Sequence, residues 1–275
     1  MQAFCSLVWS QGAEHARDDL PWRYCDDPYA VWVSEAMLQQ TQVPRVLDYW
    51  PRWMSRYPSI DALSSASTSD VLELWQGLGY NRRALALKKA ADICALEHVG
   101  RLPSSIDDLV KLPGIGPATA AGIVAFAYQK PCVYLETNVR TVFLHHFFAD
   151  ADKVPDAHIV PLVRDTCSTS DPRGWYYCLL DYGHHLKKTN ANPSRRSASY
   201  TRQSRFEGSR RQKRSFVVRE VLASPGIYGD AVLHLLNQHE RQAGRDSVAA
   251  DDFAGMLQEL ASEGFFSIQD GRLVP

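Results

Sequence analysis

Leu112-Pro113-Gly114-Ile115-Gly116-Pro117-Ala118-Thr119 joins two stretches of helical character and contains two glycines one residue apart. Glycine permits positive φ and lets another backbone come close, so Gly114 and Gly116 predict a tight turn between helices. The turn precedes the start of a helix, where free backbone amides favour an anion. The string therefore predicts a hairpin suited to a phosphate, although this glycine spacing is weak support by itself.

A second informative string lies upstream, where an acidic side chain has apolar neighbours. Glu35 occurs in Ser34-Glu35-Ala36-Met37-Leu38-Gln39-Gln40-Thr41. A lone glutamate on a helix would ordinarily form a surface salt bridge. Apolar neighbours would instead remove the carboxyl from water, which raises its pKa and lets it keep a proton near neutral pH. Glu35 is therefore a candidate proton donor.

The composition limits the class of protein. The formal net charge is −1, and no apolar run approaches the roughly 20 residues that span a bilayer. Charges follow closely on the first residues, so we expect no secretory signal, no membrane association and a cytoplasmic location. No C-x-x-C pair occurs, so we expect reduced thiols and neither a zinc site nor an iron–sulfur cluster, the six cysteines being Cys5, Cys25, Cys94, Cys132, Cys167 and Cys178.

Positive charge is concentrated in one segment. Ten lysines and arginines but only one acid, Glu207, lie between Lys187 and Arg214. Aromatic residues are interleaved with these charges, which favours phosphate contacts over a merely solvated linker. The candidate DNA contacts in this segment are Arg195, Arg196, Arg202 and Arg205.

The pattern is helical nearly throughout, which predicts an all-α protein with a small α+β module at its end. We expect a helical domain over residues 1–189, a basic linker over 190–213 and a further domain over 214–275. In the last of these, three helical stretches precede two short strands around Asp270-Gly271, a strong hairpin turn. This is a winged-helix pattern, typical of DNA-binding modules but also of packing or partner-binding ones.

Several motifs, in order, resemble the helix-hairpin-helix (HhH-GPD) DNA glycosylase superfamily, and its MutY-like adenine glycosylase branch in particular. The similarity covers about residues 20 to 190 and implies a two-lobed helical fold. Besides the hairpin, it rests on Leu20-Pro21-Trp22-Arg23, Pro28-Tyr29, Trp32-Val33-Ser34-Glu35, Met37-Leu38-Gln39-Gln40-Thr41-Gln42-Val43 and Trp75-Gln76-Gly77-Leu78-Gly79-Tyr80.

The resemblance implies roles for particular residues. Glu35 protonates the departing base, Glu136 is the second carboxylate, and Asn138 supports it. Gln40 enters the duplex with Gln39 beside it, while Tyr80 wedges in from another loop. The hairpin contacts DNA through Leu112, Gly114, Ile115 and Gly116, and the backbone carbonyls of Val110, Leu112 and Ile115 hold a monovalent cation that faces a phosphate.

The sequence departs from this family in four places. The second carboxylate is normally an aspartate, and the longer Glu136 could place its carboxylate about 1.5 Å away, a displacement that can cost about a hundredfold in rate. Ala118 replaces the lysine of bifunctional lyases, so no Schiff-base nucleophile is expected there. The cluster-binding cysteines are absent, and the basic segment is expected to take their place. The C-terminal module differs from the usual domain that reads oxidised guanine.

These observations predict a monofunctional DNA glycosylase of base excision repair. Adenine opposite guanine or oxidised guanine is the favoured substrate. A thymine, uracil or other altered-base glycosylase remains an alternative, as does a mismatch- or structure-binding protein with weak or no catalysis. A winged-helix regulator is a more remote one. We expect a monomer that binds double-stranded DNA with a mismatch or lesion, nucleoid-associated if the source is bacterial.

Overall fold

The structure is a computed structural model that describes residues 1–275. It is mainly helical, with one three-stranded sheet near the C-terminus. The prediction of an all-α fold with a small α+β module at its end is therefore confirmed. None of the helices combines the length and the apolar character needed to cross a membrane. The chain divides into two compact units, and each is built from two separate stretches of sequence.

Unit 1 comprises residues 1–39 and 101–202. Single 3₁₀ turns cover Pro21–Tyr24 and Pro193–Arg196. Its α-helices are α1 (Gln2–Glu14), α2 (Pro28–Leu38), α7 (Ile106–Leu109), α8 (Pro117–Phe126), α9 (Thr137–Phe147), α10 (Asp156–Thr166) and α11 (Pro172–Thr189).

The core of unit 1 lies where α11 packs against α1 and α9. Phe143, Trp175, Tyr176 and Leu179 are completely buried there. Gly12 of α1 lies so close to Cys178 that any side chain at position 12 would overlap with it. Burial of these large side chains is the main source of stability in this unit.

An ion cluster fixes the segment that precedes α2. The Arg17 Nε donates to Asp181 Oδ1 over 2.6 Å, and Arg23 donates to both oxygens of the same carboxylate at 2.7 Å each. Asp181 is buried. Removing either arginine would leave that buried charge poorly compensated, so the cluster ties the segment firmly to α11.

Unit 2 comprises residues 40–100 and 203–275. Three strands form an antiparallel sheet in the order β1-β3-β2. The elements are α3 (Val43–Arg56), α4 (Ile60–Ser64), α5 (Thr68–Trp75), α6 (Arg82–Glu97), α12 (Arg210–Ala223), β1 (Ile227–Tyr228), α13 (Gly229–Gln242), α14 (Ala250–Glu263), β2 (Ser267–Gln269) and β3 (Arg272–Val274).

The expected hairpin at the end of the chain is present. Asp270 and Gly271 have φ values of 49° and 77°, as a tight two-residue turn between strands requires. The three helices α12 to α14 precede this hairpin, and the unpredicted strand β1 lies before α13. A two-residue strand has no alternation of its own to find, since it is defined only by its pairing with β3.

The C-terminal module is joined to α6 by ion pairs within unit 2. Arg82 of α6 donates through Nε to Glu263 Oε2 at 2.6 Å, and Arg214 of α12 donates to the same oxygen at 2.6 Å. The module's first helix begins at Arg210, four residues before the expected boundary. The module thus packs with residues 40–100, and the domain boundaries expected at 189 and 213 stay a prediction.

Two sizeable helices of unit 1, α1 and α10, lack clear signals of a helix in the local sequence. Helix α1 has no side-chain N-cap and no basic residue in its last turn. Helix α10 contains Pro161 in its interior. A proline removes one backbone donor and usually argues against a helix. Both helices acquire support through packing on their neighbours, which local sequence does not reveal.

Candidate active site

Glu35 lies on α2 among completely buried neighbours. Asp27 caps this helix by accepting a hydrogen bond from the Tyr29 amide at 3.0 Å, and Pro28 fills its first turn. Val33 and Met37 have no exposed surface. Burial, followed by repulsion from Glu136, raises the pKa of Glu35 from 4.5 to about 8. The carboxyl therefore keeps its proton at neutral pH, as its apolar neighbours predict.

Gly122 of α8 lies directly against this carboxyl. A Cβ at position 122 would overlap with Glu35 Oε2 and would come within 3.1 Å of Tyr134 Cε2. Glycine is therefore required for the observed placement of Glu35, not for backbone freedom. No motif predicts this role, although the run of small residues around Gly122 indicates that another element packs closely against α8.

Tyr134 is a second contact of Glu35 that sequence analysis missed. Its hydroxyl donates to Glu35 Oε2 over 3.4 Å. The ring is buried and packs edge-on against Phe126 and Tyr176, with centroid separations of 5.2 and 5.3 Å. Burial and the nearby carboxylates raise the pKa of Tyr134 well above its usual value. The hydroxyl therefore stays protonated. When Glu35 is ionised, the Tyr134 hydroxyl is the donor in this contact.

Glu136 occupies the N-cap position of α9. Its Oε1 accepts hydrogen bonds from the backbone amides of Asn138 and Val139, the latter at 3.0 Å. Both amides lie in the first turn, where the positive end of the helix also favours an anion. The extra methylene relative to aspartate does not leave the carboxylate free, because the longer side chain folds back onto its own helix.

Two cations oppose part of the effect of burial on Glu136. Burial raises the pKa of Glu136, whereas the two backbone hydrogen bonds, Lys187 and Arg140 act in the opposite direction. Arg140 is committed to a bidentate ion pair with Asp156, at 2.7 and 2.8 Å. Burial lowers the pKa of Lys187, and attraction to Glu136 opposes this shift. Lys187 forms no ion pair within 4 Å, so its charge remains available to the site.

Asn138 supports Glu136 through its backbone and not through its side chain. The Asn138 amide donates to the carboxylate, while the side-chain Oδ1 is buried without a hydrogen-bond partner. Gly183 of α11 lies directly against the Asn138 carbonyl, and a Cβ there would overlap with it. Close packing of α11 on α9 thus fixes the start of α9. An unsatisfied buried acceptor is costly, which marks Oδ1 as a place for an incoming donor.

The hairpin has the predicted turn. Gly114 has a φ of 76°, and the Ile115 amide donates to the Leu112 carbonyl at 3.2 Å. Leu112 and Ile115 are buried and anchor the turn, whereas Gly114 and Gly116 are exposed. Because Gly116 has open space around it, a ligand can approach its backbone. The first-turn amides of α8 therefore remain accessible to an anion.

The expected cation site has suitable donors. No backbone amide donates to the carbonyls of Val110 and Ile115, and the Leu112 carbonyl accepts one. A carbonyl has two lone pairs, so all three can still coordinate a hard cation. The residues present therefore fit a monovalent ion, whose binding stays a prediction.

The residues expected to enter the duplex fall in different units. Gln39 of unit 1 donates through Nε2 to Thr119 Oγ1 of the hairpin helix at 3.0 Å. Gln40 and Tyr80 belong to unit 2 and have φ values of 55° and 49°. Such left-handed backbone is uncommon for residues with side chains and tends to occur at functional sites. This backbone conformation is consistent with a functional role for both residues, and it could not be predicted from their sequence.

The basic segment consists of two parts with different environments. Its first part packs on unit 1: the Val154 amide donates to the Arg196 carbonyl at 2.7 Å, and the Ala198 amide donates to the Val154 carbonyl at 2.9 Å. The expected tie of this segment to the core is therefore present. Arg195 and Arg202 are exposed and form no ion pair.

The second part of the basic segment is largely neutralised. Arg205 pairs with Glu207, while helices outside the segment supply carboxylates to Arg210, Lys213 and Arg214. The local excess of positive charge is therefore smaller than the sequence indicates, because acidic residues distant in the chain lie opposite it. Arg195 and Arg202 remain the better candidates for phosphate contacts.

All six cysteines are free thiols. No group of three or more histidine, cysteine, aspartate or glutamate side chains is arranged to hold a metal ion. Whether the protein lacks an iron–sulfur cluster stays a prediction.

Comparison with known sequences gives a consistent set of relatives. Residues 33–159 match the family described as HhH-GPD superfamily base excision DNA repair protein. An adenine DNA glycosylase of Mycobacterium tuberculosis (strain ATCC 25618 / H37Rv) is 36% identical over 222 residues, which is 71% of this chain and 72% of that protein. The adenine DNA glycosylase of Mus musculus is 40% identical over 138 residues, covering 47% of this chain and 27% of that protein.

Comparison with solved structures shows the same fold. A thermostable thymine-DNA glycosylase superposes with a TM-score of 0.60 at 22% identity, covering 66% of this chain and 85% of that one. Endonuclease III in a non-covalent complex with DNA gives a TM-score of 0.51 at 18% identity, covering 67% of this chain and 84% of that one. At these identities the similarity concerns the fold alone.

Proposed function

Because this chain belongs to the HhH-GPD superfamily of base excision DNA repair proteins, we propose that it is a monofunctional DNA glycosylase. It binds double-stranded DNA that carries a mismatch or lesion. It hydrolyses the bond between a flipped base and its deoxyribose, and it leaves an abasic site. The single observation that carries this proposal is a pair of glutamates in unit 1: Glu35 has a pKa of about 8, while Glu136 accepts two backbone hydrogen bonds.

The reaction needs one protonated and one ionised carboxyl at the same time. Cleavage of the N-glycosidic bond leaves negative charge on the departing base and positive charge on the sugar. Glu35, with a pKa of about 8, is protonated at neutral pH and can donate to the base. Burial raises the pKa of Glu136, but two backbone donors, Lys187 and Arg140 oppose this shift and favour its ionised form. It therefore stabilises the positive sugar.

Water completes the reaction. The buried Asn138 Oδ1 has no partner and can accept a hydrogen bond from a water molecule near Glu136. Glu136 then orients that water and takes its proton. The base must leave the helical stack before this happens, and Gln40 and Tyr80 fill the space it vacates. The hairpin amides and the exposed arginines, Arg195 and Arg202, hold the phosphates. The carbonyls of Val110, Leu112 and Ile115 would hold a monovalent cation, which would supply positive charge for a phosphate.

The absence of an amine after the hairpin supports monofunctional hydrolysis. Ala118 is exposed there and offers no nucleophile. Lys187 interacts electrostatically with Glu136, and we assign it the role of a counter-charge. Borohydride reduction during turnover should therefore trap no covalent adduct between protein and DNA. An adduct that disappears in Lys187→Ala would contradict the assignment.

Adenine opposite guanine or oxidised guanine is the proposed substrate, since the relatives at 36–42% identity are adenine DNA glycosylases. The test is a panel of duplexes, each with one mismatch or lesion, followed by alkali cleavage of abasic sites. Cleavage at adenine that vanishes in Glu35→Gln supports the proposal. Cleavage only at thymine, uracil or another base would replace the substrate. Tight binding without cleavage of any duplex would indicate a binding protein instead.

A further inference from the structure

Tyr80 ends a loop of unusual backbone geometry within unit 2. The loop Gly77–Tyr80, here called the wedge loop, connects α5 to α6, and three of its residues have positive φ: 93° at Gly77, 76° at Gly79 and 49° at Tyr80. A tyrosine adopts this conformation only when surrounding contacts compensate its cost. The contacts of Tyr80 therefore show what maintains the loop.

One set of contacts comes from α6. Arg83 donates to the Gly79 carbonyl at 2.9 Å and to Thr41 Oγ1 at 3.0 Å. Its guanidinium carbon lies 5.6 Å from the centre of the Tyr80 ring. Burial lowers the pKa of Arg83 to about 10, so it stays charged at neutral pH. Arg83 thus connects the wedge loop to the turn that carries Gln40.

The other set comes from the C-terminal module and the residues just before it. The guanidinium of Arg211 lies 5.4 Å from the centre of the same ring. Both Arg211 Nη1 and Gln203 Nε2 donate hydrogen bonds to the Tyr80 hydroxyl. Arg211 Nη2 also donates to the Ser204 carbonyl at 2.7 Å. The Tyr80 ring therefore has a guanidinium from α6 and one from α12 within cation–π distance.

The position of Arg211 is imposed by its neighbours on α12. Arg210 pairs with Glu259 at 2.7 Å, and Arg214 pairs with Glu259 and Glu263 at 3.0 and 2.6 Å. Arg211 itself forms no ion pair, and its hydrogen-bond partners are all neutral. The module thus neutralises the arginines on either side of it and leaves Arg211 charged beside an aromatic ring.

We propose that Arg211 is a positioning residue for Tyr80, through which the C-terminal module takes part in opening the duplex. The proposal rests on the function given above, in which Tyr80 enters the DNA. A side chain fixed before binding loses less conformational entropy on insertion. The module therefore acts on the wedge of the glycosylase and does not serve only as an additional DNA-binding surface.

The test uses the full chain in the Glu35→Gln background, so that binding is measured without excision. The probe is a duplex with one mismatch and 2-aminopurine beside it, whose fluorescence reports unstacking. Arg211→Ala should reduce the unstacking signal and weaken mismatch binding by about 3- to 10-fold. Arg211→Lys should behave similarly, because lysine lacks the planar fork. The matched control is Arg219→Ala on the same helix, whose only ion-pair partner is Glu220; it should leave both measurements unchanged.

A double-variant cycle identifies the mechanism. If Arg211 acts through Tyr80, the pair Tyr80→Ala and Arg211→Ala should be no weaker than Tyr80→Ala alone. Additive losses, full rescue by lysine and an equal loss on matched duplex would show a simple phosphate contact and overturn the proposal. Stronger unstacking in Arg211→Ala would show an obstructive contact and also overturn it. Failure of the wild type to excise any base would refute the proposed function separately, because these binding measurements do not require catalysis.

Discussion

Glu35 in unit 1 and Glu263 in unit 2 carry the same side chain in opposite environments. Glu35 has no cationic partner, and burial raises its pKa to about 8. Glu263 accepts hydrogen bonds from Arg82 and Arg214, and these contacts lower its pKa despite partial burial. One carboxyl retains a proton at neutral pH and the other does not.

The difference shows what each unit uses its charges for. In unit 1 an uncompensated carboxyl lowers stability, and it provides a proton donor. In unit 2 the carboxylate joins α6 to α14 and α12. Protonation and pairing are thus decided by the surrounding residues, and substitutions can test the two situations independently.

The largest effect is expected for Glu35→Gln. Glutamine cannot donate a proton in the same way, so the single-turnover excision rate should fall by roughly 10²–10⁴-fold. Quenched single-turnover assays on the preferred duplex measure this loss. A residual rate within tenfold of wild type would remove Glu35 from the mechanism.

The second effect tests how strictly Glu35 is placed. Gly122→Ala would push the Glu35 carboxyl aside, and a shift of about 1 Å can cost 10²-fold in rate. Stability should change little, because the displaced atom is at the end of a flexible side chain and alanine favours a helix by up to about 1 kcal/mol. Gly255→Ala on α14 is the matched control, since nothing lies within 4 Å of its Cβ. It should keep full activity, and its stability should likewise change by no more than about 1 kcal/mol.

The third effect is the pH dependence of excision. The rate should fall about tenfold per pH unit above pH 8 as Glu35 ionises. It should also fall in acid, because burial raises the pKa of Glu136 and its ionised form is needed. Single-turnover rates measured from pH 5 to 9.5 give the profile. A rate that stays constant through pH 9 would contradict the role of Glu35 as the acid.

The fourth effect compares the same substitution at both positions. Between pH 4.5 and 8 the folded state retains a proton on Glu35 that the unfolded chain loses, so this residue destabilises the protein increasingly as pH rises. Glu35→Gln should therefore raise the melting temperature at pH 8, with a gain of about 2 kcal/mol in the free energy of unfolding. The lowered pKa of Glu263 stabilises the protein above pH 4.5, and this contribution is lost as the pH falls through the folded-state pKa.

Glu263→Gln should accordingly lower the melting temperature at pH 8. The expected loss in the free energy of unfolding is only about 1 kcal/mol, because the ion pairs are partly exposed. Thermal unfolding of both variants at pH 8 and at pH 4.5 measures the difference. Equal signs for the two substitutions at pH 8 would show that the two environments are not as opposed as the structure indicates.

The smallest effect is expected for Tyr134→Phe. The Tyr134 hydroxyl lowers the pKa of Glu35, so its removal should move the alkaline limb of the rate profile upward. The hydrogen bond is long, at 3.4 Å, and the ring packing is preserved. We therefore expect a rate change of about threefold or less near neutral pH, consistent with a weak hydrogen bond. A downward shift of the alkaline limb would contradict this contact.

Much of the fold could be predicted because its signals are local. Asp27-Pro28, an N-cap residue followed by proline, is a local signal for the start of α2, and Asp270-Gly271 predicts the terminal hairpin. The resemblance to glycosylases supplied the two-lobed architecture. Helix α10 is hard to predict from sequence because Pro161 interrupts its pattern. Helix α1 is hard to predict because its stability comes from packing on α11.

The candidate site was predicted less completely, since its supporting residues come together only in the folded chain. The raised pKa of Glu35 followed from its apolar neighbours. The contacts of Gly122, Tyr134 and Lys187 depend on how helices pack, which no short motif records. The charge of the basic segment was overestimated for the same reason, because Glu259 and Glu263 pair with it from α14.

The interleaving of the two units has a consequence for how the chain is made. Residues 1–39 leave the ribosome before the rest of their unit, residues 101–202, and residues 40–100 in turn precede the rest of theirs, residues 203–275. Long-range pairing of this kind delays folding and leaves apolar surfaces exposed meanwhile. Cutting the chain after residue 202 would consequently not detach an appendage. It would leave residues 40–100 without the rest of unit 2, and Arg82 of α6 without its partner Glu263.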